Sequence, residues 1–80
     1  FIHWSVVFRL WGGEITIGRR VVIDRGAGLH ADGGAIVIGD GAVINANCLI
    51  IGGGNVEIGR DVLIAGNCVI VASNHIFEDK

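Results

Sequence analysis

The sequence has no proline, so its corners fall to other residues, and 14 glycines are there to make them. It has no basic stripe. Lys and Arg total 6 against 8 Asp and Glu, for a net charge of −2, which excludes nucleic acid as an expected partner. No apolar run approaches the ~18 residues of a membrane span. The stretch from Phe1 to Trp11 is apolar but short, and His3 and Arg9 interrupt it. It also lacks a small-residue cleavage site and does not read as a signal peptide. Only two cysteines occur, in no recognised spacing. They fit a reducing compartment, and a cytoplasmic location is the expectation.

What the chain does have is apolar side chain, 51% of its 80 residues. Eighty residues make at most one small domain. So much glycine among so many aliphatics suits short strands joined by tight corners. It does not suit a helix bundle, where each interior glycine costs about 1 kcal/mol.

The pattern is a repeat. Gly12-Gly13-Glu14-Ile15-Thr16-Ile17-Gly18 recurs as Gly33-Gly34-Ala35-Ile36-Val37-Ile38-Gly39, and again as Gly53-Gly54-Asn55-Val56-Glu57-Ile58-Gly59. The spacing is 21 residues and then 20. A shorter period runs inside it. Aliphatics stand at Ile17, Ile23 and Leu29, at Ile38, Ile44 and Ile50, and at Ile58, Ile64 and Ile70, six apart within each set. Four residues after most of them comes a small or apolar residue: Val21, Ala27, Ala42, Cys48, Val62, Cys68.

A period of six fits neither a helix at 3.6 nor a long strand at 2. It fits a short strand and a sharp corner. Three such units close a triangular coil whose aliphatics point to the axis. Successive coils then pair strand on strand in parallel, roughly 4.8 Å apart. Extra residues always enter after the third unit, which stacks the glycine pairs at one corner, where positive φ and close backbone approach are needed. The expected fold is therefore all-β, a parallel β-helix of hexapeptide repeats. Its coils cover about 1–16 (partial), 17–37, 38–57 and 58–80. Counting back from Ile17 places Phe8 and Ile2 on the axis. Phe1, Trp4, Phe8 and Trp11 also fit one helix stripe, with steps of 3, 4 and 3. The coil is preferred, because the 29-to-38 step reproduces the 8-to-17 step.

Both ends read as cut within a longer solenoid. End coils expose strand edges that solenoids normally cap. The 80 residues alone are expected to be unstable or self-associating; a clean monomer with a sharp two-state melt would contradict this.

Chemistry is expected where the repeat breaks. It breaks after Ile70, where Ser73-Asn74-His75 replaces a glycine corner. An imidazole there is a candidate general base, set against a solvated turn histidine. Asn45 is a second candidate, set against an asparagine satisfying a corner backbone group, the role expected of Asn67. Glu78 and Asp79 read as solvated acids. His30 follows Leu29 and points outward, and His3 is uninformative. Cys48 and Cys68 fall in one slot of successive coils, near enough for a disulfide by distance, but stacked side chains point the same way and favour free thiols.

The units Ile-Gly-Arg-Asp-Val-Leu (58–63) and Ile-Ala-Gly-Asn-Cys-Val (64–69), followed by Ser-Asn-His (73–75), resemble the hexapeptide-repeat acyltransferases, which are left-handed parallel β-helices. They look most like the sugar O-acetyltransferases of the galactoside/maltose acetyltransferase group and of polysaccharide gene clusters. The resemblance runs from about Ile17 and is most specific over Ile44 to Asp79, where Asn45-Ala46-Asn47 precedes the coil that ends at His75. It implies a homotrimer with active sites between neighbouring β-helices and acetyl-CoA as co-substrate, with no metal. It implies His75 as the base that takes the proton from an acceptor hydroxyl, and Asn45 as a hydrogen-bonding residue of the acceptor pocket. It places coenzyme A along later coils, beyond Lys80, and assigns no oxyanion donor. A non-catalytic β-helix, serving as scaffold or oligomerisation module, is the alternative. An ice-binding solenoid would want a threonine array, and Thr16 is the only threonine. A zinc β-helix resembling γ-class carbonic anhydrase would want converging histidines with a His-x4-His pair, a spacing that His3, His30 and His75 do not supply.

Overall fold

The computed structural model describes residues 1–72. Ten short strands follow one another, with no helix among the described residues: β1 (Val7–Arg9), β2 (Glu14–Ile17), β3 (Val22–Ile23), β4 (Gly28–His30), β5 (Ala35–Ile38), β6 (Val43–Ile44), β7 (Leu49–Gly52), β8 (Val56–Ile58), β9 (Leu63–Ile64) and β10 (Val69–Ala72). Each strand pairs in parallel with the one three places on. This gives three sheets, β1-β4-β7-β10, β2-β5-β8 and β3-β6-β9. The chain is a parallel β-helix, as its six-residue period requires.

The register matches the aliphatic ladder of the sequence. Phe8, Leu29, Ile50 and Ile70 stack in one sheet. Ile17, Ile38 and Ile58 stack in the second, and Ile23, Ile44 and Ile64 in the third. These residues, with Ile36 and Val56, make up most of the core. The small residues four places on fill the corners, and Val21, Ala27, Ala42 and Cys48 are all buried. Val62 and Cys68, on the last coil described, are more open.

The coil reading of the first residues holds over the helical one. β1 is a strand, and Ile2 bridges to Ile23 in parallel. Ile2 and Phe8 keep their axial register but are 41% and 42% exposed. They have a stacked neighbour on one side only, so each loses half of its packing partners.

Two different corners bend the chain. The corners after the first and second hexads share one device, placed three residues after the axial aliphatic. Arg20, Gly26, Gly41, Asn47, Asp61 and Asn67 all have φ between 55° and 75°. Where a coil lies below, the corner N–H donates to its carbonyl: Gly41 to Arg19 at 2.8 Å, Asn47 to Arg25 at 3.0 Å, Asp61 to Asp40 at 2.9 Å and Asn67 to Ala46 at 3.0 Å. Glycine, asparagine and aspartate tolerate this conformation. Asn67 shares this conformation, and its side chain makes no hydrogen bond with the described residues.

Arg20 is the one corner residue without that tolerance, at φ 55°. A left-handed conformation costs an ordinary residue about 1–2 kcal/mol. Arg20→Gly is therefore expected to raise stability by up to about 1 kcal/mol, since glycine's larger unfolded-state entropy offsets part of the relief. Denaturant midpoints of the two proteins check this, and a lower midpoint for the variant would refute it.

The third corner carries the paired glycines. Gly12 and Gly33 have positive φ, 71° and 90°. Their partners Gly13 and Gly34 are needed for space. A Cβ on Gly13 would collide with the carbonyl oxygens of Gly34 and Ala31, and one on Gly34 with the carbonyl oxygen of Gly54. In these two pairs the first glycine supplies the conformation, and the second lets the next coil approach.

Candidate functional site

The stacking of β3, β6 and β9 brings the corner residues Asp24, Asn45 and Ala65 into one column, each following an axial isoleucine in register. Asp24 folds back on its own corner, its Oδ1 accepting from Arg25 N–H at 2.7 Å. Asn45 reaches to the next coil instead. Its backbone N–H donates to the Ile64 carbonyl at 3.1 Å, and its Nδ2 donates to the same oxygen at 3.0 Å. The side chain is half-buried. Its Oδ1 accepts no hydrogen bond from the described residues.

Asn45 thus does the corner work that the sequence offered as its plainer role. A substrate role would fall to the amide oxygen. His75, Glu78 and Asp79 lie outside the described residues, so no geometry links them to Asn45. The register does carry one relevant fact. β10 stays paired with β7 through Ala72, which sits opposite Gly52. The repeat is intact up to the residue before Ser73.

His30 lies on the outer face of β4, as expected, and is half-buried. Its ring lies toward the space a side chain on Gly28 would occupy, with Nε2 3.2 Å from that position. Cys48 and Cys68 are both free thiols, and Cys48 is buried with its Sγ donating to the Ala65 carbonyl at 3.0 Å. That contact holds the thiol against the backbone of the next coil.

Two polar clusters escaped the sequence reading, because both join residues more than 20 positions apart or break the hexad. In the first coil His3 Nδ1 lies 2.8 Å from Ser5 Oγ, and Ser5 Oγ accepts from Gly26 N–H at 3.0 Å. The serine hydroxyl there replaces the carbonyl that later corners present to the coil above. Arg9 and Asp32 form a bidentate ion pair at 2.8–3.2 Å, with the guanidinium 4.0 Å from the centre of the Trp11 ring. The 21-residue offset sets Arg9 opposite His30 and Trp11 level with Asp32, so the register brought the corner residues close without naming the Arg9–Asp32 pair.

Among the described residues no three His, Cys, Asp or Glu side chains gather closely enough to hold a metal ion. No protein-family model, no curated protein and no solved structure matches the chain.

Proposed function

We propose that the chain is part of an acetyl-CoA-dependent O-acetyltransferase acting on a sugar or polysaccharide hydroxyl. The observation that supports this is the unbroken register of β10 on β7 up to Ala72. By count, Ser73-Asn74 then stand where the preceding coil has Gly53-Gly54, and His75 follows. Repeat positions that elsewhere hold a glycine pair here hold Ser and Asn, followed by His75. Departure from an otherwise regular scaffold is where function concentrates.

The chemistry asked of His75 is a proton transfer. The imidazole takes the proton of the acceptor hydroxyl as its oxygen attacks the thioester carbonyl carbon of acetyl-CoA. A tetrahedral intermediate forms. It collapses by breaking the carbon–sulfur bond, and the thiolate takes the proton back from the imidazolium. The products are the acetyl ester and free coenzyme A. Asn45 holds a second acceptor hydroxyl through its amide oxygen. In this reading the molecule is a homotrimer working in the cytoplasm, with each site between neighbouring β-helices and no metal involved.

The test is acetyl transfer from acetyl-CoA to a panel of galactosides, maltose-like sugars and polysaccharide units, using the full-length gene product. Transfer to none of them, nor to an amine acceptor, would defeat the reading. Asn45→Ala separates its two duties. Loss of the Ile64 bond is expected to cost about 0.5–1.5 kcal/mol of stability. Loss of the acceptor contact raises KM for the sugar with little change in kcat. A stability loss with KM unchanged would leave Asn45 as corner structure alone.

The second reading is a β-helix that serves as scaffold or oligomerisation module. The outer face of the four-stranded sheet favours it. Val7, Leu49, Ile51, Val69 and Val71 all project from that face, and Val7, Val69 and Val71 are exposed.

A further inference from the structure

We propose that Trp11, Arg9 and Asp32 form a binding site for a neutral saccharide unit. The three come from two successive coils. Arg9 ends β1, Trp11 follows it at the glycine corner, and Asp32 stands in the same corner one coil on. Arg9 Nη2 donates to both carboxylate oxygens of Asp32, at 3.1 and 2.8 Å, and Nε donates to Oδ1 at 3.2 Å. Arg9 Nη1 makes no hydrogen bond with the described residues.

A pyranose offers two kinds of surface, an apolar face of C–H groups and a rim of hydroxyls. Trp11 matches the first. Its indole is 68% exposed, so a large apolar surface stays on the outside of the corner. The guanidinium, 4.0 Å from the ring centre, holds the indole in place. The ion pair matches the second. It presents an unused N–H donor beside carboxylate lone pairs, the arrangement that two neighbouring hydroxyls satisfy together. The side chains of Arg9 and Asp32 are 32% and 31% exposed, which leaves that edge reachable. The opposite charges cancel, so the site favours a neutral ligand over a phosphate or sulfate. Room is provided by Gly12 and Gly33, where nothing lies within 4 Å of the position a Cβ would take.

Trp4 is the built-in control. It is more exposed, at 88%, but its one ring neighbour of note is His3, with centroids 5.3 Å apart. Among the described residues no ion pair flanks it. Exposure of an indole alone does not make the site; the adjoining donor and acceptor do. The proposal uses the acceptor class of the transferase reading but needs neither acetyl-CoA nor His75, so either can fail without the other.

The experiment is a ligand-observed NMR titration of the full chain with galactose, maltose and maltotriose, with inorganic phosphate as the anion control. The expected result is saturable binding of at least one sugar that Trp4→Ala leaves unchanged. Trp11→Ala is expected to weaken it at least about tenfold, the scale of a lost aromatic contact with its buried area. Asp32→Asn keeps the shape, removes the charge cancellation, and is expected to weaken it similarly. Circular dichroism establishes that each variant keeps its strands. No saturable sugar binding by the folded chain overturns the proposal. So does binding that survives both Trp11→Ala and Asp32→Asn, or phosphate binding tighter than any sugar.

Discussion

Gly34→Ala is expected to unfold the coil stack, with a loss of more than about 4 kcal/mol. One methyl group suffices because its obstacles are backbone. The new Cβ would overlap the carbonyl oxygen of Gly54 and lie 2.5 Å from that carbonyl carbon and 2.7 Å from the carbonyl oxygen of Gly52. None of these atoms belongs to a side chain that can turn aside. Nor can residue 34 retreat. Its N–H donates to the Gly52 carbonyl at 2.9 Å, and its own carbonyl accepts from Glu14 N–H at 3.1 Å. Moving it breaks the ladder to the coils on both sides. A small domain holds only about 5–15 kcal/mol in total, so the loss removes much or all of the margin. Gly33→Asn provides the contrast. Its φ of 90° strains any side chain, but a Cβ there meets open space. The expected cost is about 1–2 kcal/mol. Circular dichroism and thermal melts of both variants decide the matter. A Gly34→Ala protein that melts with the wild type would show that the coils are not held at this contact.

These two glycines also show how far the sequence can be read. The glycine pairs were legible as a corner, because they recur at 21 and 20 residues and always after the third hexad. The axial ladder was legible for the same reason, down to the pairing of Ile2 with Ile23 and Phe8 with Leu29. Repetition turns a local pattern into a register, and a register fixes which residues are neighbours. The left-handed position three residues after the first and second aliphatic of each coil was also written in the sequence, as Gly26, Gly41, Asn47, Asp61 and Asn67. Arg20 and the mixture of residue types hid it. Glycine, asparagine and aspartate share no hydropathy; what they share is tolerance of one backbone conformation.

The candidate site was less legible, for a physical reason. A repeat constrains the side chains that face the axis and the corners that must bend. It places no demand on the side chains that face outward. Arg9, Trp11 and Asp32 meet on the outside of a corner, where no period governs identity. Asn45 shows the same limit from the other side. Its position in the register was plain, but whether its amide would turn toward solvent or toward the next coil depended on the Ile64 carbonyl 3.0 Å away. That carbonyl is free to accept two donors because Ala65, at the following corner, brings no polar side chain to compete.

His75→Ala carries the largest expected effect on activity. Turnover of the acceptor sugar should fall about 10²–10⁴-fold, the usual contribution of a positioned general base. In barrier terms this is about 3–5 kcal/mol, at 1.36 kcal/mol for each factor of ten. The loss should appear in kcat more than in KM, because the imidazole acts on a proton that moves only as the new bond forms. Stability should change little. Among the described residues Ala72 is the last one paired to the coil below, three positions before His75, and the buried core aliphatics run as far as Ile64. This separates His75 from Asn45, whose replacement touches both stability and KM. Steady-state kinetics with varied acceptor, beside a melt of the same preparation, measures all three quantities. Unchanged turnover in a folded His75→Ala protein would remove the base from the mechanism. A folded variant that loses turnover while keeping its KM would leave the break in the repeat as the place where the chemistry occurs.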